Sequence, residues 1–277
     1  MEVKKKSSKI IYYAFCTLVG FIFIFPIYYT FINAIRDVYS TPAILVPKDY
    51  DWINFKYAVT LIPFFKYLGN SLIILAISIP ISLVMDFLYG YALAKLDAPG
   101  SNVLFFLVLC TMMIPTFAIQ IPQYIMFSKM GITNTFWIWV FEAFAGGAYR
   151  IFLCRQYLLS IPNSLIEAAV IDGCSQWKVI SRIALPLSKP LLAICIFNSF
   201  NHHWGDYMTP YMYLSRDKYP IIMAIFNNYQ YVFPGTSFKL VPVVNAATLL
   251  VMIPVFILFF LCQKQLVQGV SNAGIKG

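Results

Sequence analysis

Charge is what this sequence has least of. Asp, Glu, Lys and Arg make up 11% of its 277 residues, where a soluble domain carries about 25%, so a water-covered globular surface is excluded. Six cysteines are present, Cys16, Cys110, Cys154, Cys174, Cys195 and Cys262, and no two form a C-x-x-C pair. A zinc ribbon and a disulfide framework are thereby excluded, and the cysteines read as small apolar filler. No G-x-x-x-x-G-K-[ST] loop occurs, the device that cradles nucleotide phosphates. This chain therefore has no phosphate cradle of its own, and phosphate cradling must come from another chain. No Ser/His/Asp arrangement points to an enzyme, and the missing period-two alternation argues against a transmembrane barrel.

What is there is apolar and blocky. Hydrophobic residues reach 60% and aromatics 18%. A helix crossing the bilayer core needs about 20 mostly apolar residues, and six segments qualify, at about 10–34, 70–94, 103–127, 136–153, 187–207 and 243–262. Helices are expected because every backbone N–H and C=O must be paired inside hydrocarbon. The fold class is thus an all-α integral membrane protein, a single transmembrane domain over 1–277 with six spans. The first block is too long for a signal-peptide core of about 7–15 residues and lacks a small-x-small cleavage site, so it reads as an uncleaved span.

The net charge of +9 calls for no nucleic acid, since the basic residues are scattered and follow the positive-inside rule. With both termini in the cytoplasm, twelve of the twenty Lys and Arg residues fall on the inner side, led by Lys4, Lys5, Lys6, Lys9 and the turn at Lys95 and including Arg150 and Arg155. The outer loops 36–65 and 212–240 mix aromatic, charged and Pro residues, which suits either an external partner or an aromatic belt at the lipid interface.

The segment 161–190 interrupts this apolar chain and is too polar to span. It reads as two short helices. Pro162 and Asn163 open the first, with Asn as cap, and Gly173 ends it by tolerating a left-handed conformation. Ser175 caps the second, which carries Trp177, Ile180 and Ala184 at helical spacing and ends at Pro186. Ala168 and Ala169 let another surface approach the first helix closely, and Glu167 and Asp172 give it charge at fixed positions. A knob offered to a cytoplasmic partner and an amphipathic helix lying on lipid fit these features equally.

Glu167-Ala168-Ala169, Asp172-Gly173 and Ile183-Ala184-Leu185-Pro186 resemble the EAA motif of ABC-importer permeases. Asn70-Ser71, Gly90-Tyr91-Ala92-Leu93-Ala94, Met113-Ile114-Pro115, His203-Trp204-Gly205-Asp206-Tyr207 and the tail 269–277 extend the resemblance over nearly the whole chain and narrow it to the MalG-like permeases of carbohydrate importers. The chain departs from that pattern at Cys174, where Ala is usual, and at Gly205, where Asn is usual. The resemblance implies coupling helices over 161–186 that dock in a groove of a cytosolic ATPase through Glu167, Ala168, Ala169, Asp172, Gly173, Ile183, Leu185 and Pro186. It also implies a tail that reaches the ATPase dimer through Gly274, Lys276 and Gly277. The implied partners are a second, homologous permease, two ATPase subunits, an extracytoplasmic solute-binding protein and a carbohydrate solute. The implied place is the plasma membrane.

Ionisable groups at membrane depth are costly and tend to face a bundle interior or water. Asp86, Glu142 and Asp206 are the candidates, with Gln120, Asn198, Asn201, His202 and His203 nearby. His202 and Asp206, four apart, are expected to share a helical face; the spacing does not make a metal site. Asn201, Trp204, Asp206 and Tyr207 combine aromatic platforms with hydrogen-bonding groups, as sugar sites do, and form a candidate solute pathway. The leading reading is an ATP-driven carbohydrate permease. An ion-gradient-driven secondary transporter is the alternative, with Asp86 and Glu142 as its support, and a membrane enzyme using His202, His203 and Asp206 is the third.

Overall fold

The computed structural model describes residues 2–37, 45–46, 50–228 and 240–274, and within them the side chains of 9, 11–37, 45–46, 50–227 and 240–266. Regular structure among these residues is helical, apart from an isolated bridge between Arg36 and Tyr50. The helices are α1 (Glu2–Ala34), α2 (Ile53–Thr60), α3 (Phe64–Lys95), α4 (Ser101–Thr111), α5 (Thr116–Lys129), α6 (Trp137–Ala145), α7 (Ala148–Leu159), α8 (Asn163–Ile171), α9 (Gln176–Val179), α10 (Leu185–Leu187), α11 (Lys189–Trp204), α12 (Met208–Tyr213), α13 (Ile221–Asn228) and α14 (Val241–Gly274). A π-helical turn, Ile180–Ala184, joins α9 to α10.

Among the described residues three helices are long and apolar enough to cross a membrane: Ile11–Ala34, Phe64–Lys95 and Val241–Leu266. Two of the expected spans are broken instead. The 103–127 segment is bent by 98° between α4 and α5. Pro115 adopts ψ 129 at this break; it lacks an N–H, and its ring disfavours helical geometry at Ile114. The 136–153 segment breaks at Gly146-Gly147, where Gly146 has φ +77 and Gly147 is extended. The 187–207 segment begins with an 81° bend at Ser188 and ends at Trp204. Asp206 lies beyond that end, so it and His202 do not share a helical face.

The chain divides into two compact units, Met1–Lys66 with Ala224–Ile253, and Tyr67–Met223 with Pro254–Gly277. In the first, the end of α1 is capped by a buried side chain. Asn54, on α2, donates through Nδ2 to Ala34 O at 2.9 Å and Arg36 O at 2.8 Å. One residue of the 36–65 loop thus satisfies carbonyls that the helix terminus leaves open.

In the second unit the outer end of α3 is tied to the 212–223 segment. Asn70 Nδ2 donates to Tyr219 O at 3.1 Å, and Ile221 N donates to Ser71 Oγ at 2.9 Å. At the other end of α3, the core is built from Phe87, Tyr91, Cys154, Leu158, Ile161, Ile166, Ala169, Val179, Ala184, Leu191 and Cys195. These come from α3, α7, α8, α9, the π turn and α11, with Ile161 between α7 and α8, so the two short helices of the 161–186 segment share one core with three longer ones.

The contact that lets α3 and α7 close is at Gly90. A Cβ there would lie 2.4 Å from Cys154 Cβ and 3.0 Å from Arg155 N. Backbone on one side and a buried side chain on the other leave no room to yield. Gly90→Ala is expected to destabilise the protein by about 1–3 kcal/mol, the usual cost of overpacking, and Gly90→Leu to prevent assembly. Thermal unfolding in detergent micelles checks this; an unshifted midpoint for Gly90→Ala would show the two helices free to separate.

Candidate functional site

The polar segment between α7 and α11 forms a fixed knob. Pro162 occupies the N-cap position of α8 with ψ 133 and makes no side-chain cap. Asn163 does not cap either. It is the first helical residue, and its Oδ1 accepts from Lys95 Nζ at 2.6 Å, while the same ammonium donates to Ile161 O at 2.6 Å. A charged donor outcompetes a backbone amide for that oxygen.

The C-terminus of α8 follows the expectation from Gly173, which has φ +80. Cys174 N donates to Ala169 O at 2.9 Å and Gly173 N to Val170 O at 3.0 Å, the pair of bonds of a Schellman cap. Ser175 is extended, as at an N-cap, without a side-chain bond. Pro186 does not stop the second helix. The π turn Ile180–Ala184 precedes it, and the helical path runs on to Leu187 before the break at Ser188. Wider hydrogen-bond spacing next to a residue without an N–H accounts for the π turn.

This geometry sorts the motif residues into two sets. Ile166, Ala169, Val179 and Ala184 face the core, and Ile183 packs against it. Glu167, Ala168, Asp172, Gly173, Leu185 and Pro186 are exposed. Beside them stand Ile171 at 85% and Trp177 at 69% exposure. Trp177 thus points away from the core, since the π turn shifts the helical phase and hands the inward positions to Val179 and Ala184. Of the tail residues, Gly274 ends α14, and Lys276 and Gly277 lie outside the described residues.

The knob is tied to the long helices by more than packing. Tyr91 OH donates to Gln176 Oε1 at 3.1 Å and Tyr157 OH to Leu187 O at 3.0 Å. Arg155 Nε donates to Leu93 O at 3.2 Å, with its guanidinium 4.0 Å from the centre of the Phe105 ring.

One helical turn further along α3 from Gly90 is the fully buried Asp86. Its Oδ2 accepts from Arg150 Nε at 2.5 Å and its Oδ1 from Gly147 N at 2.7 Å. Asp86 therefore pairs with a cation and also satisfies backbone freed by the break between α6 and α7. Both glycines are needed there. A Cβ on Gly146 would lie 2.9 Å from Asp86 Oδ1, and one on Gly147 would lie 2.6 Å from the Arg150 guanidinium. The sequence reading grouped Arg150 with the cytoplasmic charges. Its burial removes it from that argument, and the missed signal was a Gly-Gly step inside an apolar block beside Arg150 and near an intramembrane Asp.

Arg150 also lines a cavity of about 570 Å³, together with Gln120, Gln123, Glu142, Asn198, His202 and Tyr213. None of the four pathway candidates lines it. Asn201 Nδ2 bonds back to Phe197 O at 2.9 Å, and Trp204 is buried with its ring 5.3 Å from Phe200. Asp206 Oδ1 accepts from Thr209 N at 3.1 Å at the start of α12, and Tyr207 lies 6.4 Å from Tyr211. Asn198 and His202, one turn apart on α11, face the cavity instead. Among the described residues no group of three or more His, Cys, Asp or Glu is placed to hold a metal ion.

Breaking the Asp86–Arg150 pair from one side leaves a buried, unpaired charge, which costs about 3–5 kcal/mol. Asp86→Leu and Arg150→Met are each expected to lose that much stability alone, and the two combined to recover most of it. Thermal unfolding of the wild type and these three variants in a double-mutant cycle measures this, and equal destabilisation by the double variant would contradict the pairing.

Residues 89–272 match the family described as binding-protein-dependent transport system inner membrane component. The chain is 29% identical to the arabinooligosaccharides transport system permease protein AraQ of Halalkalibacterium halodurans, over 99% of this chain and 100% of that one. It is 27% identical to the maltodextrin transport system permease protein MdxG of Bacillus subtilis, over 98% and 97%, and 31% identical to the probable ABC transporter permease protein YurM of the same organism, over 76% and 70%. A solved structure of a bacterial ABC transporter involved in the import of the acidic polysaccharide alginate shares its fold, with a TM-score of 0.81 and 23% identity over 94% of this chain and 97% of that one. The protein is a multi-pass membrane protein and belongs to the family of inner-membrane components of binding-protein-dependent transport systems.

Proposed function

We propose that this chain is the transmembrane permease subunit of an ATP-driven, binding-protein-dependent importer of carbohydrate. The observation that carries the reading is likeness over nearly the whole length to permeases named for arabinooligosaccharide and maltodextrin transport. The chain forms half of a translocation pathway with a second, homologous permease. An extracytoplasmic binding protein delivers the solute, and two cytosolic ATPase subunits bind ATP and Mg. Six crossings are made by α1, α3, the bent α4–α5 pair, the broken α6–α7 pair, α11 and α14, with both termini and the α8–α10 segment in the cytoplasm.

The exposed apolar side chains of α1, where only 6% of the most apolar window is buried, then face lipid or the partner permease. Leu165, Val170, Ile171 and Trp177 are exposed around Glu167 and Ala168. Such a patch suits a preformed protein groove, with Ala168 allowing close approach. Closure of the ATPase dimer on ATP moves the knob, and the shared core carries that movement to α3, α7 and α11. ATP acts because the nucleotide-bound dimer favours one of two arrangements of the spans. The ion-gradient alternative is not supported: the family is that of binding-protein-dependent systems, and Asp86 is occupied by Arg150 and Gly147.

Glu167→Lys reverses charge on the docking face, and Gly173→Pro cannot adopt φ +80 or donate to Val170 O. With the complex in proteoliposomes, each is expected to abolish solute-stimulated ATP hydrolysis and uptake while membrane insertion persists. Uptake that survives in both variants and follows an ion gradient would overturn the reading.

A further inference from the structure

The cavity beside the Asp86–Arg150 pair gathers several polar side chains on partly apolar walls. Its walls come from α5, α6, α7, α11 and α12, and its volume of about 570 Å³ lies within the range of about 300–1,000 Å³ typical of small-molecule sites. Two of its lining groups are buried polar atoms without hydrogen-bond partners among the described residues, His203 Nδ1 and Tyr213 OH. His203 is 8% and Tyr213 5% exposed. Buried donors and acceptors are ordinarily satisfied, so these two await something that enters the cavity.

The surroundings hold Tyr213 in place. Its ring lies 5.5 Å from Tyr124 and 5.8 Å from Phe127. Across the cavity Gln123 Nε2 donates to Glu142 Oε1 at 3.3 Å, which leaves the second carboxyl oxygen and the amide oxygen as acceptors. Gln120 and Asn198 add groups that both donate and accept. Such a set matches a ligand whose own groups do both, namely a sugar ring with several hydroxyls.

Charge narrows the ligand further. Among the described residues the one Arg or Lys lining the cavity, Arg150, is already neutralised by Asp86. The other ionisable carboxyl, Glu142, is an acid. An anionic sugar would meet Glu142 without a free guanidinium to offset it, whereas an uncharged sugar meets no such penalty.

We propose that this cavity is a solute subsite within this subunit, taking one uncharged, polyhydroxylated sugar unit of the translocated chain through Gln123, Glu142, Asn198, His203 and Tyr213. It rests on the carbohydrate-importer reading and assigns part of the pathway to this chain rather than to its partner permease.

The test uses the complex purified with its co-expressed partner chains, reconstituted with its binding protein, and supplied with radiolabelled maltotriose and arabinotriose. Tyr213→Phe removes only a hydroxyl that has no hydrogen-bond partner among the described residues, so the thermal midpoint of the complex stays level or rises. The same change removes one hydrogen bond to the solute, and KM for uptake rises about three- to tenfold. Glu142→Gln shifts KM in the same direction. KM unchanged in both variants overturns the subsite. A fall in thermal midpoint that accompanies the KM change in Tyr213→Phe also overturns it, by making the hydroxyl structural. A wild-type complex that moves neither trisaccharide overturns the importer reading and the subsite with it, which separates that failure from a transporting wild type with insensitive variants.

Discussion

The approach of α3 to α7 at Gly90 governs much of the second unit. With no side chain at Gly90, Cys154 seats directly against the α3 backbone, and the buried cluster from Phe87 to Cys195 closes around that contact. The same approach brings Tyr91 within reach of Gln176 and Lys95 within reach of Ile161 and Asn163. It also sets Asp86 against Arg150 and the Gly146-Gly147 step. The polar knob on one side and the break in the α6–α7 segment on the other are therefore held by successive turns of one helix.

Breaks in apolar helices are tolerated only where the freed backbone is satisfied away from lipid. The α6–α7 break meets that condition in a specific way. Asp86 accepts from Gly147 N, and Tyr89 OH donates to Phe144 O at 2.9 Å. A carboxylate at membrane depth, which composition alone would assign to ion binding, here serves a backbone and a paired Arg. Function then moves to the neighbouring groups that remain unpaired, on the cavity side of the same break.

Much of this was legible in the sequence, and the reasons differ by element. Continuous apolar blocks fixed the places of α1, α3 and α14, because burial in lipid acts on composition over many residues. Glu167-Ala168-Ala169 and Gly173 marked the knob, because a left-handed C-cap and a small-residue face leave local signatures. The breaks at Pro115 and Gly146 were hidden, since the hydrophobic average runs through them and only tertiary partners such as Asp86 make them stable. Asn198 and His202 line the cavity and Asn201 and Trp204 do not, and no pattern within one helix reveals which face a neighbour leaves open. Trp177, Ile180 and Ala184 were read at one helical spacing, and a π turn, which no propensity flags, separates exposed Trp177 from buried Ala184.

If the knob and the long helices form one block, a distance within that block should not change as the transporter turns over. Spin labels at Ile171, on the exposed tip of α8, and at Val84, on the exposed face of α3, would span it, in a background whose accessible native cysteines have been replaced. Pulsed electron–electron distances would be recorded in the assembled complex without nucleotide and with ATP trapped. The shared core requires the same distance distribution in both states. A distribution that moves between them would show the knob swinging on its own, and would contradict direct transmission from α8 to the spans.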